Sequence, residues 1–185
     1  MLPHEYARGG LKIGLQQEER LGVNPFKFGL VGATDAHTSL ASTREENNFG
    51  KVSVMEPGPD RFEAQIVPDP EGVGTGTYEF ETLASGLQGV WSRENTRQSL
   101  WDAMMRKETY ATTGTRITVR VFAGWDYDEK DVLRPDFAKT GYLGGVPMGG
   151  DLTAAPAGKA TRLMVRAVRD PDGANLDRVQ IIKGW

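Results

Sequence analysis

Apolar positions near the N-terminus fall at helical spacing. Ala7, Leu11 and Leu15 recur at i, i+4 and i+8, and Gly22 stands where a C-terminal cap belongs, so residues 4–21 are predicted to be a helix. Gly9, Gly10 and Gly14 each cost about 1 kcal/mol against alanine there, so tertiary packing rather than propensity has to hold it. Asn24-Pro25 signals a turn. The run from Phe28 to Val31 is then almost continuously apolar and ends in the polar Thr34-Asp35-Ala36-His37-Thr38. That pattern predicts a strand covered on both faces. Helix, turn, buried strand and polar tip form the αβ unit of a parallel sheet or barrel, whose functional groups gather at the C-terminal ends of the strands.

Further on, Pro57, Pro59, Pro68 and Pro70, with Gly72, Gly74 and Gly76, break up any regular element and predict an irregular excursion over 53–88. The Gly-Val-Gly-Thr-Gly run there is not a dinucleotide fingerprint, because no helical pattern opens after it. Residues 95–108 read as a helix with Asn95 as N-cap, Gln98 completing a capping box, and Leu100, Trp101, Met104 and Met105 on one apolar face. After Thr112-Thr113-Gly114 the period becomes two: Ile117, Val119 and Val121 alternate with Thr118, Arg120 and Phe122. A glycine-rich loop of roughly thirty residues is expected next. Leu163, Val165 and Ala167 then alternate with Arg162, Met164 and Arg166, Asp170-Pro171-Asp172-Gly173 makes a turn, and Val179 to Ile182 reads as a closing strand. The start so close to a helix and the finish on an apolar strand both read as cut points within a longer chain.

Composition narrows the function classes. The 185 residues carry a formal net charge of -3, so no basic face for nucleic acid is expected. No apolar run approaches the roughly 20 residues that span a bilayer, so no membrane partner is expected either. Cysteine is absent, which removes disulfides, thiolate zinc sites and cysteine nucleophiles together. Only two histidines exist, His4 and His37, so a histidine-rich metal site cannot be assembled from this chain alone.

Asp35-Ala36-His37 is the sharpest chemical signal. Residues two apart on a strand share a face, so both side chains enter one pocket if the strand ends there. A carboxylate oxygen and an imidazole nitrogen together suit zinc, manganese or iron. A histidine in a polar turn also occurs as a purely structural group, and that alternative stays open. No Gly-x-Ser-x-Gly elbow supports a serine hydrolase. With 25 acidic residues, a glycosidase pair cannot be singled out. Asp126, Asp128, Glu129 and Asp131 lack the glycine and terminal glutamate of a calcium loop and read as a solvated loop. Arg116 and Lys51 are candidate contacts for a substrate anion, although each reads first as a surface cation. Trp91, Trp101, Trp125 and Trp185 read as core residues rather than a sugar platform.

The stretch Phe28-Gly29-Leu30-Val31-Gly32-Ala33-Thr34-Asp35-Ala36-His37 resembles the last metal-binding motif of the PHP superfamily, the polymerase and histidinol phosphatase hydrolases, in which a strand ends in Gly-x-x-Asp-x-His. Gly89 to Arg97 and Arg106 to Ile117 are similar to the segment that follows it there. Gly149-Gly150-Asp151 and the stretch from Asp170 to Trp185 narrow the resemblance to bacterial domain-of-unknown-function family 3604. The resemblance implies the C-terminal piece of a distorted parallel (β/α) PHP-type barrel followed by a β-rich C-terminal module. On that basis 1–52 is the last barrel αβ unit, 53–90 the excursion, 91–116 a helix and turn packed on the barrel, and 117–185 the β module. It further implies a metal-dependent phosphoesterase that uses metal-activated water on a small-molecule phosphate ester, with Asp35 and His37 as ligands of different ions. The remaining ligands lie on strands this chain lacks, so the isolated chain is expected to be inactive, to hold zinc, manganese or iron weakly or not at all, and to pair as a homodimer over the surfaces left bare. The rival reading is a non-catalytic accessory module that binds a protein partner or a polysaccharide.

Overall fold

The computed structural model describes residues 5–37, 59, 63–74, 76–82 and 85–184. His4, Lys51 and Trp185 lie outside the described residues. Helix α1 (Ala7–Leu21) is followed by strands β1 (Gln65–Val67), β2 (Thr77–Tyr78) and β3 (Leu87–Val90), helix α2 (Arg97–Met105), strands β4 (Thr109–Thr112) and β5 (Thr118–Gly124), helix α3 (Phe137–Gly144), and strands β6 (Gly145–Pro147) and β7 (Arg162–Val168). The strands form two antiparallel pairs, β1-β2 and β3-β4, and one antiparallel three-stranded sheet in the order β6-β5-β7.

This corrects the expected architecture. Every pairing among the described residues is antiparallel and no sheet closes, so the parallel (β/α) barrel piece is not the fold. The physical reason lies at 28–34, where the predicted buried strand is absent. A strand exists only through a neighbour's backbone groups, and this segment makes scattered contacts instead of a ladder. The Thr109 hydroxyl donates to the Leu30 carbonyl at 3.0 Å, and the Ser85 N–H donates to the Thr34 carbonyl at 3.1 Å. Phe28, Leu30 and Val31 consequently stay exposed. Gly32 lets the segment lie on the β3-β4 ribbon, because a Cβ there would come within 2.3 Å of the Leu87 carbonyl oxygen. The closing strand at 179–182 is missing for the same reason, and Val179, Ile181 and Ile182 are exposed.

Helix α1 ends as its sequence requires, with Gly22 at φ 73 and its N–H donating to the Glu18 carbonyl at 2.9 Å. Its packed side is glycine rather than leucine. Gly14 is buried against Asn24, while Leu11 and Leu15 are exposed. Asn24 is fixed in turn by accepting from the Phe26 N–H at 2.9 Å and donating to Glu18 at 3.2 Å. Helix α2 starts later than expected: Thr96, not Asn95, is the N-cap and accepts from the Ser99 N–H at 3.3 Å. Gln98 bonds Asp102 at 2.8 Å instead of closing a capping box. Of this helix only Ala103 is buried, and Trp101, Met104 and Met105 face outward, Trp101 being 59% exposed and so no core residue. Within the excursion, Asp69 organises the β1-β2 turn by accepting from the Val73 and Gly74 N–H groups at 3.2 and 2.6 Å.

The core lies under the three-stranded sheet, on the face that looks polar in the sequence. Phe122 and Met164 pair across β5 and β7 and pack with Tyr127 and Phe137. The arginines of that face are accommodated by aromatic rings. The Arg166 guanidinium sits 4.3 Å from the Phe137 centroid and that of Arg120 4.4 Å from the Trp91 centroid. Helix α3 and strand β6 occupy the stretch expected to be a long loop. Tyr127 is clasped there, its hydroxyl donating to the Gly141 carbonyl at 2.5 Å.

Candidate functional site

Asp35 and His37 end the extended segment that crosses the β3-β4 ribbon. His37 Nε2 lies 3.1 Å from Asp35 Oδ1, and the two side chains are similarly exposed. Asp35 has φ 61, a left-handed conformation unusual for a non-glycine residue. The residues are therefore not two apart on a regular strand. A turn brings the oxygen and nitrogen together instead. One carboxylate oxygen and one imidazole nitrogen at this separation fit two positions of a divalent-metal sphere. Zinc sites take three or four protein ligands, and among the described residues no third histidine or carboxylate joins the pair.

Arg116 is engaged elsewhere. Its N–H donates to Asp170 Oδ2 at 2.6 Å, and its guanidinium pairs with Asp172 and lies 3.7 Å from Asp170 Oδ1. It ties the Asp170-Pro171-Asp172-Gly173 turn to the start of β5. The N–H groups of Arg116 and then Asp172 hold the Asp170 carboxyl below the usual carboxylate range. In the acidic loop after β5, Asp128 accepts from the Lys130 and Asp131 N–H groups at 2.7 and 3.2 Å, so its carboxylate caps the turn before α3.

The structure assembles a second polar group that sequence reading missed. Trp91, Ser92 and Arg93 leave β3, Ser99 and Asp102 lie on α2, Arg106 and Glu108 precede β4, Arg120 lies on β5 and Tyr142 on α3. Together they line a cleft of about 470 Å³. Glu108 is only 2% exposed. Arg106 donates to its Oε2 from Nε at 3.2 Å and from the terminal nitrogen at 3.0 Å. The Tyr142 hydroxyl donates to its Oε1 at 2.6 Å and receives a bond from Arg120 at 3.1 Å. Burial, then the bond to Glu108, pushes the Tyr142 phenol above its usual value. The Ser92 and Ser99 hydroxyls are 2.7 Å apart. The one signal in the sequence was Arg120, a charge on the alternating face of β5 that turned out to carry the core.

This cleft and the Asp35–His37 tip lie at opposite ends of the β3-β4 ribbon. Thr34 is held at Ser85, before Leu87 and its partner Thr112, whereas the cleft begins at Trp91 and Glu108, just past the Val90–Thr109 pair. Roughly 13 Å of ribbon separates them, from four residues at about 3.3 Å each.

A family model described as "Protein of unknown function (DUF3604)" matches residues 1–185, and the chain belongs to that family. No curated protein and no solved structure matches the chain.

Proposed function

We propose that this member of the DUF3604 family contributes Asp35 and His37 to the divalent-metal site of a phosphoesterase-type hydrolase. The carrying observation is the convergence of Asp35 Oδ1 and His37 Nε2 at 3.1 Å on an exposed tip. The resemblance of Phe28 to His37 to the last PHP metal motif supports the same reading. On it, the other ligands come from elsewhere in the full protein, and zinc, manganese and iron all suit the donor pair. A bound ion there supplies Lewis acidity and lowers the pKa of a water toward neutrality. Asp35 and His37 hold the ion and do not act as the general base. The substrate is a small-molecule phosphate ester, and neither nucleic acid nor a membrane is a partner. The helices described include none long and apolar enough to cross a membrane.

With two ligands, the isolated chain binds divalent metal weakly and turns over no phosphate ester. Elemental analysis of chain purified without added metal should therefore find a substoichiometric amount. In the full protein, Asp35→Ala and His37→Ala should each slow hydrolysis by orders of magnitude. Near-normal activity in either variant would remove the assignment.

The second reading, a non-catalytic accessory module, draws on the outward face of α2, where Trp101, Met104 and Met105 are exposed. With Phe28, Leu30 and Val31 also bare, these surfaces favour association, and we propose a homodimer of the isolated chain.

A further inference from the structure

We propose that the cleft between β3, α2, β5 and α3 is a binding site for a phosphoryl oxyanion, separate from the Asp35–His37 tip. Its charge balance is the first ground. Three guanidiniums, of Arg93, Arg106 and Arg120, face two carboxylates, of Asp102 and Glu108, in a chain whose overall charge is -3. The cleft thus concentrates positive charge where the protein as a whole repels anions.

The pairing within the cleft is the second ground. Glu108 is committed to Arg106 and to the Tyr142 hydroxyl. Arg120 is held by neutral groups alone, the Tyr142 hydroxyl and the faces of Trp91, Phe122 and Tyr142. Neither Arg93 nor Arg120 pairs with a carboxylate among the described residues. Arg120 is stacked and hydrogen-bonded, so its guanidinium is already oriented and a ligand need not bear the cost of ordering it. Asp102, which accepts from the neutral Gln98, leaves the cleft one net positive charge. The Ser92 and Ser99 hydroxyls are already spent on the Glu94 carbonyl and on each other. The donors on offer are therefore the N–H groups of Arg93 and Arg120, which suit the several acceptor oxygens of a tetrahedral, doubly charged group better than those of a single carboxylate. The volume of about 470 Å³ leaves room for the organic part of a small phosphorylated molecule.

The site does not rest on the metal-hydrolase reading, and its test uses the 185-residue chain with inorganic phosphate, phenyl phosphate and acetate as probes at constant ionic strength, followed by calorimetry. Inorganic phosphate should bind saturably at one site per chain. Arg93→Gln and Arg120→Gln should each weaken it by about tenfold to a hundredfold, the loss of one charge-assisted contact. Glu108→Gln, which removes the neutralising charge, should tighten it. Asp35→Ala and His37→Ala should leave it unchanged, which separates failure of this site from failure of the metal site. Tighter binding of phenyl phosphate than of phosphate identifies a phosphorylated small molecule as the source, and equal binding identifies the free anion. Should Arg120→Gln lose its near-ultraviolet circular dichroism, the exposed Arg93→Gln decides alone. Absence of saturable phosphate binding, binding indifferent to Arg93→Gln, or acetate binding as tightly as phosphate would each overturn the proposal.

Discussion

Gly141→Ala tests the core through the sign of its effect. Gly141 lies inside α3, where alanine ordinarily adds about 1 kcal/mol of stability by lowering backbone entropy in the unfolded chain. Here a Cβ would stand 2.4 Å from Cδ2 and Cγ of Phe122. Ordinary carbon contacts need about 3.5 Å or more, so ring and helix have to part by roughly 1 Å. Neither can move freely. The Phe122 ring is 0% exposed and is boxed by the rings of Phe137 and Tyr142, with centroids at 5.6 and 5.1 Å. The helix is tethered by the Tyr127 hydroxyl on the Gly141 carbonyl. Overpacking typically costs about 1–3 kcal/mol. Set against the propensity gain, the expected net effect is a loss of up to about 2 kcal/mol instead of a gain. Urea unfolding followed by far-ultraviolet circular dichroism measures it as a lower midpoint at unchanged slope. Phe122→Leu frees space under Gly141, so the double variant should lose less than the sum of the single losses, with a coupling of about 0.5 kcal/mol or more. A Gly141→Ala protein more stable than the wild type, as at an open helix position, or strict additivity in the double variant, would refute the contact.

Other outcomes follow from the same geometry. Gly10→Ala meets open space on α1 and should stabilise by up to about 1 kcal/mol, whereas Gly14→Ala puts a Cβ 2.3 Å from Asn24 Oδ1 and should destabilise; equal gains in urea midpoint would show that the Asn24 turn is not seated on the helix. Because the folded-state pKa of Asp170 is depressed, its contribution to stability is complete above the unfolded value near 3.9 and is lost as pH falls through the lower folded value. Asp170→Asn should therefore flatten the acid limb of a melting-temperature profile below about pH 4, and an unaltered limb would contradict the Arg116 contact. Light scattering over a dilution series should report a dimer that Trp101→Ser weakens; a monomer at every concentration disposes of the homodimer.

The local signals were legible where one residue type had one physical use. Gly22 ends α1 because a left-handed residue without a Cβ suits that cap. The change from helical to strand period, by contrast, comes before Thr112-Thr113-Gly114, because β4 already runs over Thr109–Thr112 and that stretch separates two strands. The cap of α2 was misplaced by one residue because Asn95 and Thr96 are both good caps, and only the geometry shows which side chain reaches Ser99. Helix α3 was lost to a glycine-rich loop because its glycines are there for close approach to Phe122 and Tyr127, a reason invisible until those rings are placed.

By itself, the sequence determined that α1 ends at Gly22, that β5 and β7 alternate, and that a carboxylate and an imidazole stand two positions apart at Asp35 and His37. Tertiary structure alone decided which alternating face is buried. Alternation has no sign until a partner is present, and aromatic rings made the arginine-bearing face the inner one. It also decided that 28–34 is not a strand, because strand pairing is a property of two segments and no neighbour among the described residues supplies the ladder. And it gathered Arg93, Arg106, Glu108, Arg120 and Tyr142 into one cleft, since residues from two helices and the strand ends between them meet only where their elements pack.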